Sequence, residues 1–125
     1  MEFIYTKDAP APAGHYTQAV AFERLVFVSG QLPIHPETKK IPDSVKLQAV
    51  QAFSNMEAIL KAAGSSMNNV LKTTVYIPDV SLWDEVNKVY VEFFGDHKPA
   101  RTIVPSNKLH FGCLIEIDAI AIKKT

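Results

Sequence analysis

The sequence predicts a fold that mixes strands with two helices, in the order β-β-α-β-α-β-β. Three observations carry that expectation. Two segments repeat apolar residues at spacings of three and four, the period of a helix face. Several short runs are rich in Val, Ile, Thr and Tyr, the residues that suit a pleated, half-buried surface. Proline and glycine cluster between these segments, where the chain must turn.

Taken in order, Tyr16–Glu23 and Leu25–Ser29 are expected as strands around a tight connection, with Phe3–Thr6 as an optional short first strand. Gln31–Asp43 is a loop, punctuated by Pro33, Pro36 and Pro42. Val45, Ala49, Ala52, Met56, Ile59 and Ala63 then form a helical stripe, with Ser44 suited to cap its start and Gly64 its end. Val70–Ile77 is a β-branched strand closed by Pro78. Ser81 is expected to open a second helix with the stripe Leu82, Val86, Val89, Tyr90 and Phe93, and Gly95 to end it. The last strands are expected at Ala100–Pro105 and Cys113–Ile122. As a simple hairpin centred near Leu109 they would set Arg101 opposite Ile117, within diagonal reach of Glu116 and Asp118.

At 125 residues the chain is the length of one ordinary domain, spanning 1–125, and should bury roughly two-thirds of its unfolded surface without disulfides. Thirteen basic residues balance 13 acidic ones for a net charge of zero, which gives no general attraction to nucleic acid or an anionic membrane. Cys113 is the only cysteine, so no intrachain disulfide forms and an oxidising compartment is not indicated. No apolar run reaches the roughly 18 residues of a membrane span, and Met1-Glu2-Phe3-Ile4-Tyr5 lacks the basic start of a signal peptide. The expected location is the cytoplasm.

Spacing sets several chemistries aside. The chain has neither a Gly-x-Gly-x-x-Gly pattern nor a Gly-Lys-Ser/Thr loop. His15, His35, His97 and His110 never fall at the spacing of a metal pair, so no metal is expected. Cys113 begins the alternating face Cys113, Ile115, Ile117, Ala119 and Ala121, where a buried small hydrophobe outweighs a nucleophile. Ser29 lacks a nucleophile elbow. Met56 belongs to a helical stripe and is expected in the core.

Arg101, Glu116 and Asp118 remain. Arg101 stands in a short, largely β-branched stretch between Pro99 and Pro105, and its permanently charged fork demands either a carboxylate or an anionic ligand. Glu116 and Asp118 alternate along an apolar strand and so share a face. A structural salt bridge and a binding site explain this pattern equally well.

The wider sequence resembles one family. Ala11–Val20 (Ala-Pro-Ala-Gly-His-Tyr-Thr-Gln-Ala-Val), Ser29–Ile34 (Ser-Gly-Gln-Leu-Pro-Ile) and Ala62–Val75 (Ala-Ala-Gly-Ser-Ser-Met-Asn-Asn-Val-Leu-Lys-Thr-Thr-Val) are similar to the Rid family, also called YjgF. So are Val86-Asn87-Lys88-Val89-Tyr90, His97-Lys98-Pro99-Ala100-Arg101 and Ile115–Ala121, and together these segments cover nearly the whole chain in order. The resemblance implies a chorismate-mutase-like α+β fold, a mixed sheet with two helices on one face, assembled as a homotrimer with three clefts between subunits. Its strand order puts the last strand in the middle of the sheet, so Arg101 and Glu116 need not be neighbours within a subunit and can meet across a cleft. An apolar face from Cys113 to Ala121, larger than one helix layer needs, is a further reason to expect assembly.

The implied activity is like that of 2-iminobutanoate/2-iminopropanoate deaminases: hydrolysis of enamines and 2-imino acids, such as 2-aminoacrylate, to 2-keto acids and ammonia. Arg101 would hold the substrate carboxylate through two parallel charge-assisted bonds, and Glu116 would orient and deprotonate water. The backbone N–H groups of Gly30 and Ile103 are candidate further donors by resemblance, and Tyr16 would close the pocket. Asn87 matches a family asparagine, although an ordinary helix-surface amide explains it as well. Asp118 is taken as structural. No cofactor is expected, because an imine is already activated.

Three departures bear on specificity. Ile103 stands where the best-known deaminase subgroup has cysteine, His15 replaces a proline, and Val104–Lys108 differs from that subgroup's Val-Glu-Val-Ala-Arg. Ile103 keeps its backbone donor but presents a more apolar wall, so the tolerated side chain should change. Two other functions stay open: a non-catalytic sensor of 2-keto acids in the same clefts, and an endoribonuclease or translation inhibitor, which the neutral charge balance disfavours.

Overall fold

Six strands and two helices form in the computed structural model, which describes residues 1–124. They are β1 (Glu2–Ile4), β2 (Ala19–Phe22), β3 (Leu25–Gln31), α1 (Val45–Ala62), β4 (Val70–Ile77), α2 (Trp83–Phe94), β5 (Ala100–Pro105) and β6 (Glu116–Ile122). The strands make one mixed sheet in the order β1-β2-β3-β6-β4-β5, with β4 and β5 parallel and every other pair antiparallel. The fold is α+β, with both helices on one face.

The hairpin expected from the last two strands does not form. Helix α2 carries the chain from β4 to a parallel neighbour, as a crossover must, so β5 takes the sheet edge. Strand β6 passes back between β3 and β4, opposing Ile117 to Gln31 on one side and Val75 on the other. This central place suits β6, whose Ile117, Ala119 and Ala121 are buried. The family-derived strand order is therefore the one observed.

Helix α1 starts and stops as its sequence dictates. Ser44 Oγ accepts a bond from Leu47 N at 3.1 Å. At the other end Gly64 takes φ +77°, and the bonds Gly64 N to Lys61 O at 3.1 Å and Ser65 N to Leu60 O at 2.8 Å close a Schellman motif. Helix α2 differs slightly from expectation: a 3-10 turn at Val80–Leu82 precedes it, and Asp79 rather than Ser81 supplies the cap, accepting from Ser81 N at 2.8 Å. Gly95, at φ +58°, ends it. Phe53, Met56, Ile59 and Leu60 of α1 and Val86, Val89 and Phe94 of α2 pack with Val26, Val28, Val75 and Ile117 of the sheet.

The alternation Cys113, Ile115, Ile117, Ala119, Ala121 is buried throughout, although the strand itself begins only at Glu116. That face lies under the helices, so it is already covered within the chain and supplies no reason for assembly. The opposite face does. Register places Phe3, Val20, Phe22, Leu25, Phe27, Ile120 and Ile122 together on it, and Phe3 is 72%, Phe22 55% and Phe27 43% exposed. A contiguous apolar sheet face without a covering layer is the signature of an interaction surface.

Candidate functional site

The residues singled out by sequence fall into two clusters. Tyr16, Gly30 and Glu116 line one cavity of about 590 Å³, together with Ser29, Leu32, His110 and Phe111. Arg101 and Asn87 line another, of about 480 Å³, with Tyr90, Phe94, His97 and Lys98. Within one chain Arg101 does not meet Glu116. The two stand on strands separated by β4, about 10 Å in the sheet plane, and on opposite faces: Arg101 pairs in register with buried Thr73, whereas Glu116 alternates with buried Ile117.

The glutamate cluster is built by a distortion in β3. Val28 opposes Ala119 and Gln31 opposes Ile117, so Ser29 and Gly30 span one position of β6 and form a β-bulge. Ser29 anchors it through Oγ to Thr17 O at 2.7 Å and through N to Gln18 O at 2.9 Å. Gly30 is glycine for want of space, since a Cβ there would overlap Glu116 Oε2. The carboxylate thus lies directly against the bulged backbone. Burial raises the Glu116 pKa, with Asp118 adding to the rise and His110 opposing it. A carboxyl held above its ordinary range is better matched to taking a proton near neutrality.

Buried amides hold the surrounding loops. Gln18 Oε1 accepts from Thr6 N at 2.7 Å and its Nε2 donates to Pro10 O at 2.9 Å, fixing the segment that carries Tyr16. Asn55 Nδ2 donates to Leu32 O at 3.1 Å and Ile34 O at 3.0 Å, and Gln48 Oε1 accepts from Leu114 N at 2.8 Å. Strand β2 starts at Ala19 rather than Tyr16: before it, among the described residues, the only backbone bond to β3 is Ser29 N to Gln18 O, and the side chains of Thr17 and Gln18 bond the backbone of Ile4, Thr6 and Pro10 instead. Tyr16 itself is half exposed, its hydroxyl accepting from Ala13 N at 3.3 Å.

Among the described residues no carboxylate positions Arg101. Its Nη1 donates to Asn87 Oδ1 at 2.8 Å, and its guanidinium carbon lies 4.7 Å from the Tyr90 ring centroid and 5.5 Å from that of Trp83. The only ion pair among the described residues is Lys123–Glu2 at 3.0 Å. A structural salt bridge between Arg101 and Glu116 or Asp118 is therefore not what this chain contains. Most of the five guanidinium donors stay free for an anion. Asn87 is more than a surface amide, since it orients Arg101. Ile103, two residues along the same edge strand, lines neither cavity; its side chain packs on the core. Asp118 stands opposite Thr74 in register, and burial raises its pKa.

His110, Phe111 and Gln18 went unrecognised in the sequence. No spacing rule brings His110 and Phe111 to Glu116. Their placement depends on a left-handed turn. Gln18 carries no pattern at all.

Set beside known proteins, the chain matches the family model described as Endoribonuclease L-PSP over residues 6–123. A RutC family protein of Pyrococcus horikoshii is 45% identical over 124 residues, covering 98% of each chain. The 2-iminobutanoate/2-iminopropanoate deaminase of Escherichia coli is 39% identical over 124 residues, covering 97% of each. Among solved structures, Escherichia coli TdcF with bound serine is similar at a TM-score of 0.95 and 38% identity, over 99% of this chain and 100% of that one.

Proposed function

This chain belongs to the Rid (YjgF) family, and we propose that it hydrolyses 2-imino acids and their enamine tautomers to 2-keto acids and ammonia. The observation that carries the reading is the division of its charged residues into two half-sites, an anion-seeking Arg101 without a carboxylate partner and a Glu116 pressed against a glycine bulge. Each needs the other, and neither finds it within the chain. Three copies of the 1–125 domain arranged as a ring, apolar sheet faces inward, would bring Arg101 of one copy to Glu116 of the next.

In such a cleft Arg101 grips the substrate carboxylate, with the backbone N–H groups of Gly30 and Ile103 as further donors and Tyr16 as the closing wall. Glu116 takes a proton from water as the water oxygen bonds to the imine carbon, and passes that proton to the imine nitrogen. The resulting tetrahedral carbon bears a hydroxyl and an amino group. Glu116 then takes the hydroxyl proton as the C=O of the keto acid forms and delivers it to the amino nitrogen as the C–N bond breaks, so ammonia leaves. The chain's own groups suffice for this balance, because the imine supplies the electrophile.

The test is ammonia release from imines generated in situ from a panel of amino acids. Acceleration above the uncatalysed rate supports the reading. Binding of 2-keto acids without acceleration would leave a carboxylate sensor instead, a reading favoured by the serine bound in the TdcF structure. The endoribonuclease description of the family finds little support here, since 13 basic and 13 acidic residues leave no net charge to attract phosphates.

Two further outcomes are expected. Light scattering should give three times the chain mass across a wide concentration range, because an obligate apolar interface of roughly 2,000 Å² or more does not dissociate readily; a concentration-independent monomer would remove the shared cleft. Gly30→Ala should cost at least about tenfold in kcat/KM, since a misplacement of about 1 Å at a reacting group can cost about a hundredfold. The inserted methyl would displace the Glu116 carboxylate. Unchanged turnover in a folded Gly30→Ala protein would mean that Glu116 need not lie where it does.

A further inference from the structure

Phe111 is held in a conformation that its side chain opposes. Its φ of 59° and ψ of 20° are left-handed, and it is followed by Gly112 at φ +69°. Glycine takes this conformation freely, whereas a bulky aromatic is an outlier there. The turn does not need the ring: it is closed by backbone bonds, Gly112 N to Leu109 O at 3.2 Å and Cys113 N to His110 O at 3.1 Å. Nor does the core, since Phe111 is 67% exposed. A large apolar side chain kept both strained and in water, at a position where glycine would fit better, calls for a function outside the fold.

The ring faces the glutamate half-site. It helps line the 590 Å³ cavity that contains Glu116, and also the adjoining hollow lined by Pro10, Ala11, Tyr16, Gly30 and Leu32. His110 backs it, with ring centroids 5.6 Å apart. The cavity wall therefore joins the Glu116 carboxylate and His110 to the apolar side chains of Tyr16, Phe111 and Leu32. A substrate whose imine carbon sits by Glu116 has those apolar walls left for its side chain. A methyl or methylene group would leave most of the volume to water.

We propose that Phe111, with Tyr16 and Leu32, forms a side-chain subsite that makes this protein prefer 2-imino acids bearing an aromatic ring over those bearing a methyl group. The proposal rests on the deaminase reading for its substrate class, but the subsite can be measured without turnover. Rings gain from offset or edge-to-face partners at about 4.5 to 7 Å, a contact that a methyl group cannot make. The contact area of a ring should separate the two substrates by at least about tenfold, since one methylene alone is worth about 10- to 200-fold in an apolar pocket.

The experiment compares kcat/KM for imines generated in situ from phenylalanine and from alanine, in the unaltered protein and in Phe111→Gly. Glycine suits the backbone angles, so the variant keeps its turn, and thermal unfolding with light scattering on the same sample confirms its fold and assembly. Expected are a preference for the aromatic imine over the alanine-derived one and a reduction of that ratio by at least about tenfold in Phe111→Gly. Equal loss for both imines, or an unchanged ratio, overturns the proposal. If neither imine is hydrolysed faster than in buffer, the deaminase reading has failed, and calorimetry with phenylpyruvate and pyruvate reads the subsite alone. Tighter phenylpyruvate binding that Phe111→Gly abolishes then supports the subsite; equal binding of the two acids by the unaltered protein overturns it.

Discussion

Arg101→Ala should leave a folded assembly that neither hydrolyses imino acids nor binds keto acids measurably. Two contributions to stability are lost, and both are small. The bond to Asn87 is worth about 0.5 to 1.5 kcal/mol, and the contacts with Tyr90 and Trp83 about 0.5 to 1 kcal/mol each at a partly exposed site. No carboxylate is stranded, because Arg101 contacts an amide and two rings. Had Arg101 been half of a buried ion pair, the cost would have been about 3 to 5 kcal/mol. The effect on function is larger: removing one partner of a desolvated charge pair costs about 2 to 5 kcal/mol, roughly 30- to several-thousand-fold in kcat/KM. Arg101→Lys should recover little, since an ammonium reproduces neither the two parallel bonds nor the contact with Asn87. Turnover and unfolding measured on one preparation decide the matter. Full activity in the alanine variant, or its failure to fold, would return Arg101 to the scaffold.

The elements were legible wherever local chemistry determines them. Ser44, Gly64 and Gly95 stop and start helices by bonds that reach only a few residues, and the stripe from Val45 to Ala63 reports one face of one helix. Strand neighbours are different, because pairing is a long-range choice: Cys113–Ile122 alternates equally well beside β5 or between β3 and β4. Only the family resemblance supplied the correct order. The same limit applies to the site. Arg101 and Glu116 announce themselves as charges in apolar runs, but the bulge at Ser29–Gly30 and the left-handed Phe111 exist only once β3 and β6 are paired. The expected apolar face was real in its alternation and misassigned in its role, since a two-residue period cannot say which side the helices cover.

Glu116→Gln should separate activity from stability in opposite directions. If Glu116 is the base, replacing its carboxylate by an amide of the same shape removes a proton acceptor worth about 10²- to 10⁴-fold. Its burial raises the pKa above the ordinary glutamate value of 4.5, which fixes two signs. First, the unaltered protein should lose kcat/KM on the acid side as Glu116 takes a proton, at a pH above that ordinary value. Second, between the ordinary and the raised pKa the folded chain holds a proton that the unfolded chain has released, so this group's contribution to stability falls as pH rises through that window. At neutral pH the charged carboxylate is thus slightly unfavourable to folding, and glutamine removes the penalty. The variant should unfold at the same or a higher temperature at pH 7 and show that advantage vanish in acid. It should also lack the acid limb in whatever turnover remains. An active Glu116→Gln protein with an unchanged pH profile would leave the water without its base, and the proton acceptor would have to be sought in the substrate itself.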